Sequence, residues 1–450
     1  MDNAKLTIDI GSSTIDAIIS QTTYDDKIKI LSKGVAKSQG IKNGDVINID
    51  DLSDAINKAV IGAKGDTNVK INKATVSISG SYINTRSSSG SIIIQTGQVN
   101  KKDIKKVLDV AHHNANIISE YSLIHLMPIS YKIDDIEMDA PLNMTGSRLE
   151  VITSIVVARK STLLNIENSL KACALKVDNY VLSSYASALA TLNEQEKKDG
   201  CALIDIGSNS TDIVLVKNKA IVYNIYIPIG SAHITQDICE MAETPLEAAE
   251  VLKSQYGTLL AFEADNPMAD REVAIPHKIE SNKEHTIALK NLQIIIHARV
   301  EEMLVLAFAK IKNSEMLHTI KSNIILTGGM SKLEGLPNLA KKIFAGYNVS
   351  IGKTKDIANE FIDLKDNSKA TSVGLIIYAL NKTMIFELDS NKELKSSFDK
   401  IDIISNQETK KLDNLQLKDK QQNEDINITA DTANDSTLID KFKKMTKDWF

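Results

Sequence analysis

The tetrapeptide Asp-Ile-Gly-Ser stands twice in this chain, from Asp9 to Ser12 and again from Asp205 to Ser208, each time closing an apolar run. The contexts run in parallel: Leu6-Thr-Ile-Asp-Ile-Gly-Ser-Ser-Thr14 in the first half, Ala202-Leu-Ile-Asp-Ile-Gly-Ser-Asn-Ser210 in the second. A second apolar stretch follows each polar loop, at 15–19 and 213–216. The pattern reads strand, tight turn, strand, written once in each half. A glycine turn after a carboxylate presents backbone N–H groups and hydroxyls to one side, which suits a phosphate. The carboxylate at the strand end suits a hydrated Mg²⁺ bound to that phosphate. Two such turns facing each other would clamp one nucleotide from both sides.

At 450 residues the chain is too long for one small core, so two lobes are expected. With 43% hydrophobic and 25% charged residues it reads as a soluble globular protein. A net charge of −5 lacks the basic excess that nucleic-acid binding needs. Cys173, Cys201 and Cys239 are isolated, without C-x-x-C spacing, and read as reduced thiols of a cytosolic protein. The N-terminus shows no basic-then-apolar signal segment, and no apolar stretch approaches the ~18–20 residues of a membrane span.

The alternation predicts strands over 6–10, 14–20, 28–32 and 73–79, with a helix over 51–61. From about 79 to 157 the pattern changes and reads as an inserted subdomain. It holds a Ser/Gly stretch at 86–91, a helix at 102–115, and strands near 126–133 and 150–158. Helices at 161–175 and 183–193 bridge to the second lobe. There strands are expected at 201–206, 212–216 and 220–228, followed by one long helical pattern from Gly230 to Gly257. A polar, strand-poor stretch at 266–290 leads into a helix over 292–312. A strand at 323–326 ends at Thr327-Gly-Gly-Met330, and further helices begin near Leu336 and at 370–380. The expected organisation is a first lobe over 1–78, the insertion over 79–158 and a return with bridging helices over 159–198. The second lobe covers 199–365, with its own subdomain at about 230–300, and 366–387 returns to the first lobe. Residues 388–435 are polar and almost devoid of aromatics, so they read as a disordered linker with a reach of ~40 Å.

The paired glycines Gly328 and Gly329 let the backbone approach a flat ligand such as adenine or its ribose. Three glycine turns at strand ends, in this order, argue against unrelated turns. There is no G-x-x-x-x-G-K-[ST], which excludes a P-loop.

The order of two phosphate turns and then an adenosine turn resembles that of the actin-like ATPases. Within that superfamily the chain resembles the bacterial cell-division family FtsA over nearly its whole length. The likeness also rests on Leu123-Ile-His-Leu-Met-Pro-Ile-Ser-Tyr-Lys-Ile133, Leu175-Lys-Val-Asp178, Ile324-Ile-Leu-Thr-Gly-Gly329, the place of the insertion and the terminal helix. It implies an α/β, two-lobed, actin-like (ribonuclease H-like) fold that binds ATP and Mg²⁺. Asp9 and Asp205 would hold Mg²⁺ through water. Gly11, Ser12, Ser13 and Thr14, with Gly207, Ser208, Asn209 and Ser210, would cradle the phosphates. Gly328, Gly329 and Met330 would flank the adenosine, and Glu250 and Lys253 would contact the nucleoside. One helical turn apart, Glu250 and Lys253 also fit a plain surface salt bridge. Where many relatives carry a glycine pair, this chain has Ser208 and Asn209, a less permissive turn. Asn179 stands where the superfamily often places a water-positioning Gln. Its shorter side chain predicts tight nucleotide binding with slow hydrolysis.

Residues 436–450 form a separate signal. Ser436 is a suitable N-cap, and Leu438, Ile439, Phe442, Met445, Trp449 and Phe450 make one helical stripe beside four lysines. That is the pattern of an interfacial helix on an anionic membrane surface, although a groove on a partner would accept it too. The family resemblance implies the C-terminal peptide of FtsZ, the tubulin-like division protein, as partner, with self-assembly into actin-like protofilaments and contacts to other division proteins. Arg299 and Glu302 match the family's Arg-x-x-Glu for that peptide, and equally fit an i, i+3 ion pair. The implied place is the cytoplasmic face of the inner membrane at the division septum. Two alternatives share the fold: a small-molecule kinase or phosphatase, and a pilus-assembly ATP-binding protein.

Overall fold

The computed structural model describes residues 4–23, 27–65, 67, 69–260, 270–278, 284–321, 323–355, 357, 366–380 and 386–395. The chain divides into units 1–397 and 398–450. The terminal helix expected at 436–450 and most of the expected linker lie outside the described residues.

Two sheets of the same topology build the first unit. One runs, edge to edge, Lys176–Leu182, Lys73–Ile78, Lys5–Ile10, Thr14–Thr22 and Ile28–Lys37. The other runs Asn348–Ile351, Asn323–Thr327, Cys201–Ile206, Thr211–Lys217 and Ala220–Ile227. In each, an antiparallel meander of three strands is extended by two parallel strands through crossovers. This is the two-lobed actin-like α/β fold. The helix Ile49–Lys64 covers the first sheet with Leu52, Ile56, Ala59 and Val60, and Asn48 caps it through the amides of Asp50 and Asp51. Helices Ser183–Thr191 and Ala370–Ala379 lie between the two sheets, buried along nearly their whole lengths.

A third sheet joins Ile83–Ile93, Arg148–Arg159 and Tyr121–Ile133, packed under the helix Lys101–Asn114. The Ser/Gly stretch at 86–91 lies inside the strand Ile83–Ile93, matched residue for residue against 148–158. Its small side chains are what the packing needs. A Cβ at Gly90 would run into the Val107 carbonyl, and Ser88 Oγ donates to the Ala111 carbonyl at 2.8 Å.

Other expectations change as well. The helical pattern through 230–257 is two helices, Ser231–Met241 and Leu246–Tyr256, parted before Pro245, which cannot continue a helix. The polar stretch at 266–290 contains a paired hairpin, Glu272–Pro276 with Glu284–Ala288. Strands Lys176–Leu182 and Asn348–Ile351 were not anticipated. The first residues of the linker expected from 388 belong to the third sheet instead, because Glu387–Leu388 and Leu394–Lys395 pair and extend it. Among the described residues no helix is long and apolar enough to cross a membrane, and all three cysteines are free thiols.

Candidate functional site

The two hairpins present their turns to a common cleft of about 580 Å³. Each turn is closed by the same bond: Gly11 N donates to Thr14 O at 3.1 Å, and Gly207 N to Ser210 O at 2.9 Å. The tips touch, with Asn209 N donating to Ser12 Oγ at 3.2 Å. Ser79 Oγ of the first lobe donates to Asp212 Oδ1 of the second at 2.5 Å. The cleft is lined by Asp9, Gly11, Ser12, Ser13, Thr14, Asp205, Gly207, Ser208 and Ser210. Glu250, Lys253, Gly328 and Gly329 complete the expected set found there. Asn209 bridges to the other hairpin and is not among the lining residues.

Antiparallel register sets Asp9 opposite Asp16 and Asp205 opposite Asp212, so each hairpin carries two acids on one face. Asp9 accepts from Ser77 Oγ at 2.8 Å and from Ser372 Oγ at 3.2 Å. Asp205 accepts from Ser187 Oγ at 2.5 Å, and that hydroxyl also meets Thr371 Oγ1 at 2.9 Å. The helices between the sheets thus supply a hydroxyl to each acid, and the strand Lys73–Ile78 adds Ser77 at Asp9. Burial lifts the Asp9 carboxyl to about 6, with the charge of Asp16 adding to it. Burial likewise lifts Asp205 to about 7 and Asp212 to about 6. Among the described residues neither Asp9 nor Asp205 has a cationic side chain as partner. Two desolvated carboxylates aimed into a cleft of amides and hydroxyls fit a hydrated divalent cation carried by a phosphate.

At the other wall, Lys253 Nζ donates to Glu250 Oε2 at 2.7 Å, to Thr235 Oγ1 at 2.8 Å and to Ser231 O at 3.2 Å. Burial works to raise the Glu250 carboxyl, but the bonds from Lys253 and Thr235 outweigh it and leave it below its ordinary value. The pair is thus an ion pair on the cleft wall, within reach of a ligand. Gly328 has φ +86°, and a Cβ there would run into Asp205 Oδ1, so this turn requires glycine.

Besides Asn209, two residues expected at the nucleotide sit elsewhere, Asn179 and Met330. Asn179 pairs with Thr75, three residues (about 10 Å) short of the cleft end of its strand. Its Oδ1 accepts from Ser390 Oγ at 3.1 Å, so it does not position water in the cleft. Ser183, four residues on, lines the cleft instead. Met330 points into the core of the second lobe. Arg299 forks onto Asp237, with Nε and Nη2 donating at 2.5 and 2.7 Å, while Nη1 donates to Glu302 at 2.6 Å.

The residues missed in the cleft include Asp16, Asp212, Ser79, Thr371 and Lys369. For the two acids a signal was present: the repeat extends to Asp-Ile-Gly-Ser-x-x-x-Asp in both copies.

A family model described as cell division protein FtsA matches residues 202–374, and one described as the SHS2 domain inserted in FtsA matches residues 80–157. Cell division protein FtsA of Pseudomonas aeruginosa is 32% identical over 376 residues, covering 83% of this chain and 89% of that protein. The solved structure of a PilM–PilN type IV pilus biogenesis complex matches with a TM-score of 0.56 at 16% identity, covering 84% of this chain and 98% of that one. MreB5 of Spiroplasma citri bound to ADP matches with a TM-score of 0.50 at 11% identity, covering 84% and 96%. At those identities the two structures speak for the fold alone. The P. aeruginosa relative, similar across most of both chains, speaks for more: this chain belongs to the FtsA family of cell-division proteins, built on the actin-like fold.

Proposed function

We propose that the chain is an ATP-binding division protein that assembles into actin-like protofilaments and tethers FtsZ to the cytoplasmic face of the membrane at the septum. The observation that carries the nucleotide reading is the pair of like hairpins converging on one cleft, each with two acids behind its turn. Backbone amides and hydroxyls of Ser12, Ser13, Thr14, Ser208 and Ser210 would bind the phosphate chain. Asp9 and Asp205 would hold Mg²⁺ through water, and the ion would neutralise charge on the phosphates. Glu250, Lys253, Gly328 and Gly329 would take the nucleoside. With Asn209 engaged in bridging the hairpins, it would report lobe closure rather than bind phosphate.

The FtsZ reading rests on family membership. Arg299 is already bonded to Asp237 and Glu302, so a peptide carboxylate would have to compete for that fork. The membrane reading rests on the amphipathic sequence of 436–450. One short helix binds a bilayer weakly, because ordering ~14 residues in water is marginal. Many helices on one polymer bind by avidity, with a gain of ~10²–10⁴. Nucleotide-dependent assembly, membrane attachment and recruitment of other division proteins would then be linked.

The test is co-sedimentation with anionic liposomes, with and without ATP, for the full chain beside one ending at Asp435. ATP-enhanced pelleting of the full chain alone is expected. Equal pelleting of both chains, or of neither, would remove the membrane role.

A further inference from the structure

Two lysines line the cleft among the described residues, Lys253 and Lys369. Lys253 is held on the second lobe's wall by Glu250, Thr235 and the Ser231 carbonyl. Lys369 is placed differently. It ends the short turn Asn367–Lys369, which Asp366 pins by accepting from Ser368 N at 2.9 Å. From there its ammonium reaches the first hairpin and donates to both oxygens of Asp16 at 3.0 Å. Asp16 is 4% exposed and has further partners: Lys33 Nζ lies 3.3 Å from Oδ1, and Thr14 Oγ1 donates to Oδ2 at 3.3 Å.

That asymmetry matters. Removing the sole partner of a buried carboxylate is costly, but Asp16 would keep Lys33 if Lys369 left. Lys33 reaches Asp16 from outside the cleft lining. Neither Asp-Ile-Gly-Ser turn contains a lysine or arginine, and four aspartates line the cleft. A polyphosphate bound against the first hairpin therefore has one ammonium beside it that is free to change acceptor. A phosphate carries more charge and more acceptor oxygens than the carboxylate that Lys369 now holds.

We propose that Lys369 is an exchangeable phosphate-binding cation, resting on Asp16 in the nucleotide-free chain and transferring to the phosphate chain of a bound nucleotide while Lys33 keeps Asp16 paired. This rests on the nucleotide reading above and adds to it a contact that reads phosphate charge. Asp16 then acts as a competitor for that lysine.

The test is calorimetric titration of the full chain and of its K369M and D16N variants with Mg-ATP and with adenosine. K369M is expected to weaken Mg-ATP about tenfold to a hundredfold, the range of a charge-assisted hydrogen bond, and to leave adenosine unchanged. D16N is expected to tighten Mg-ATP, since the lysine loses its resting place. An equal loss of both ligands in K369M, no loss of either, or weaker Mg-ATP binding in D16N would each overturn the inference. A wild-type chain that takes up no nucleotide would sink the nucleotide reading, and the inference with it. The adenosine arm separates a lost phosphate contact from a damaged fold.

Discussion

Asp205 shows what single residues contribute here. Its carboxyl is lifted by burial from 3.8 to about 7 in the fold, so the native chain holds a proton that the unfolded chain has released. A raised carboxyl works against the fold: stability is unaffected below pH 4 and falls as pH rises through 7. At about 1.4 kcal/mol per unit, the penalty at pH 8 is about 4 kcal/mol. Asp205→Asn removes it without changing shape. In urea titrations without nucleotide, the variant should exceed the wild type at pH 8, and the gap should close by pH 4. A gap that stays constant with pH would mean that Asp205 is solvated and poorly placed to meet a cation. The glycines and acids of the repeated tetrapeptide were legible because backbone geometry and charge dictate residue type at a phosphate turn. Asn179 was not, because its distance from the cleft depends on strand register, which spacing does not encode.

At the scale of elements, the pair of helices between the sheets is what joins fold to site. Ser187 on one, with Thr371 and Ser372 on the other, deliver hydroxyls to Asp205 and Asp9. The helices are in tight contact at Gly374, where a Cβ would run into the Ala186 carbonyl. Gly374→Ala should force them apart, costing about 1–3 kcal/mol in a urea titration, although alanine is the better helix former. Nucleotide affinity should fall with it, because the helix starts at the hydroxyls. Unchanged stability would show that the contact is looser than the backbone positions imply. Helices and alternating strands were readable from apolar periodicity. The strand Ile83–Ile93 was not, since serine and glycine have low strand preference and only its long pairing with Arg148–Arg159 holds it extended. The hairpin over 272–288 was hidden in the same way by its polar composition.

For the whole molecule, the duplicated tetrapeptide announced two lobes, and the lobes share one sheet topology. What composition concealed is that the segment 386–395 packs with the lobes and the insertion. Residues 388–395 read as the start of a polar tail, yet the segment 386–395 binds the inserted sheet to the first lobe. Leu388 pairs with Leu126 of the insertion. Glu387, fully buried, accepts from Tyr185 Oη at 3.0 Å and lies 3.8 Å from Nδ1 of the equally buried His125. Lys395 Nζ donates to the Tyr378 carbonyl at 3.1 Å and stands over that ring at 3.9 Å. One short segment thus touches the insertion and both central helices. A chain ending at Lys395 should melt with the full-length protein. One ending at Phe386 strips His125 and Tyr185 of their buried acid and uncovers the edge of the third sheet. Breaking one buried polar pair costs about 3–5 kcal/mol. Its midpoint in a thermal melt should therefore fall by several degrees, with the insertion loosening first in hydrogen exchange. Identical melting of both truncations would place the boundary of the folded body before Glu387 and make the segment an accessory of the tail.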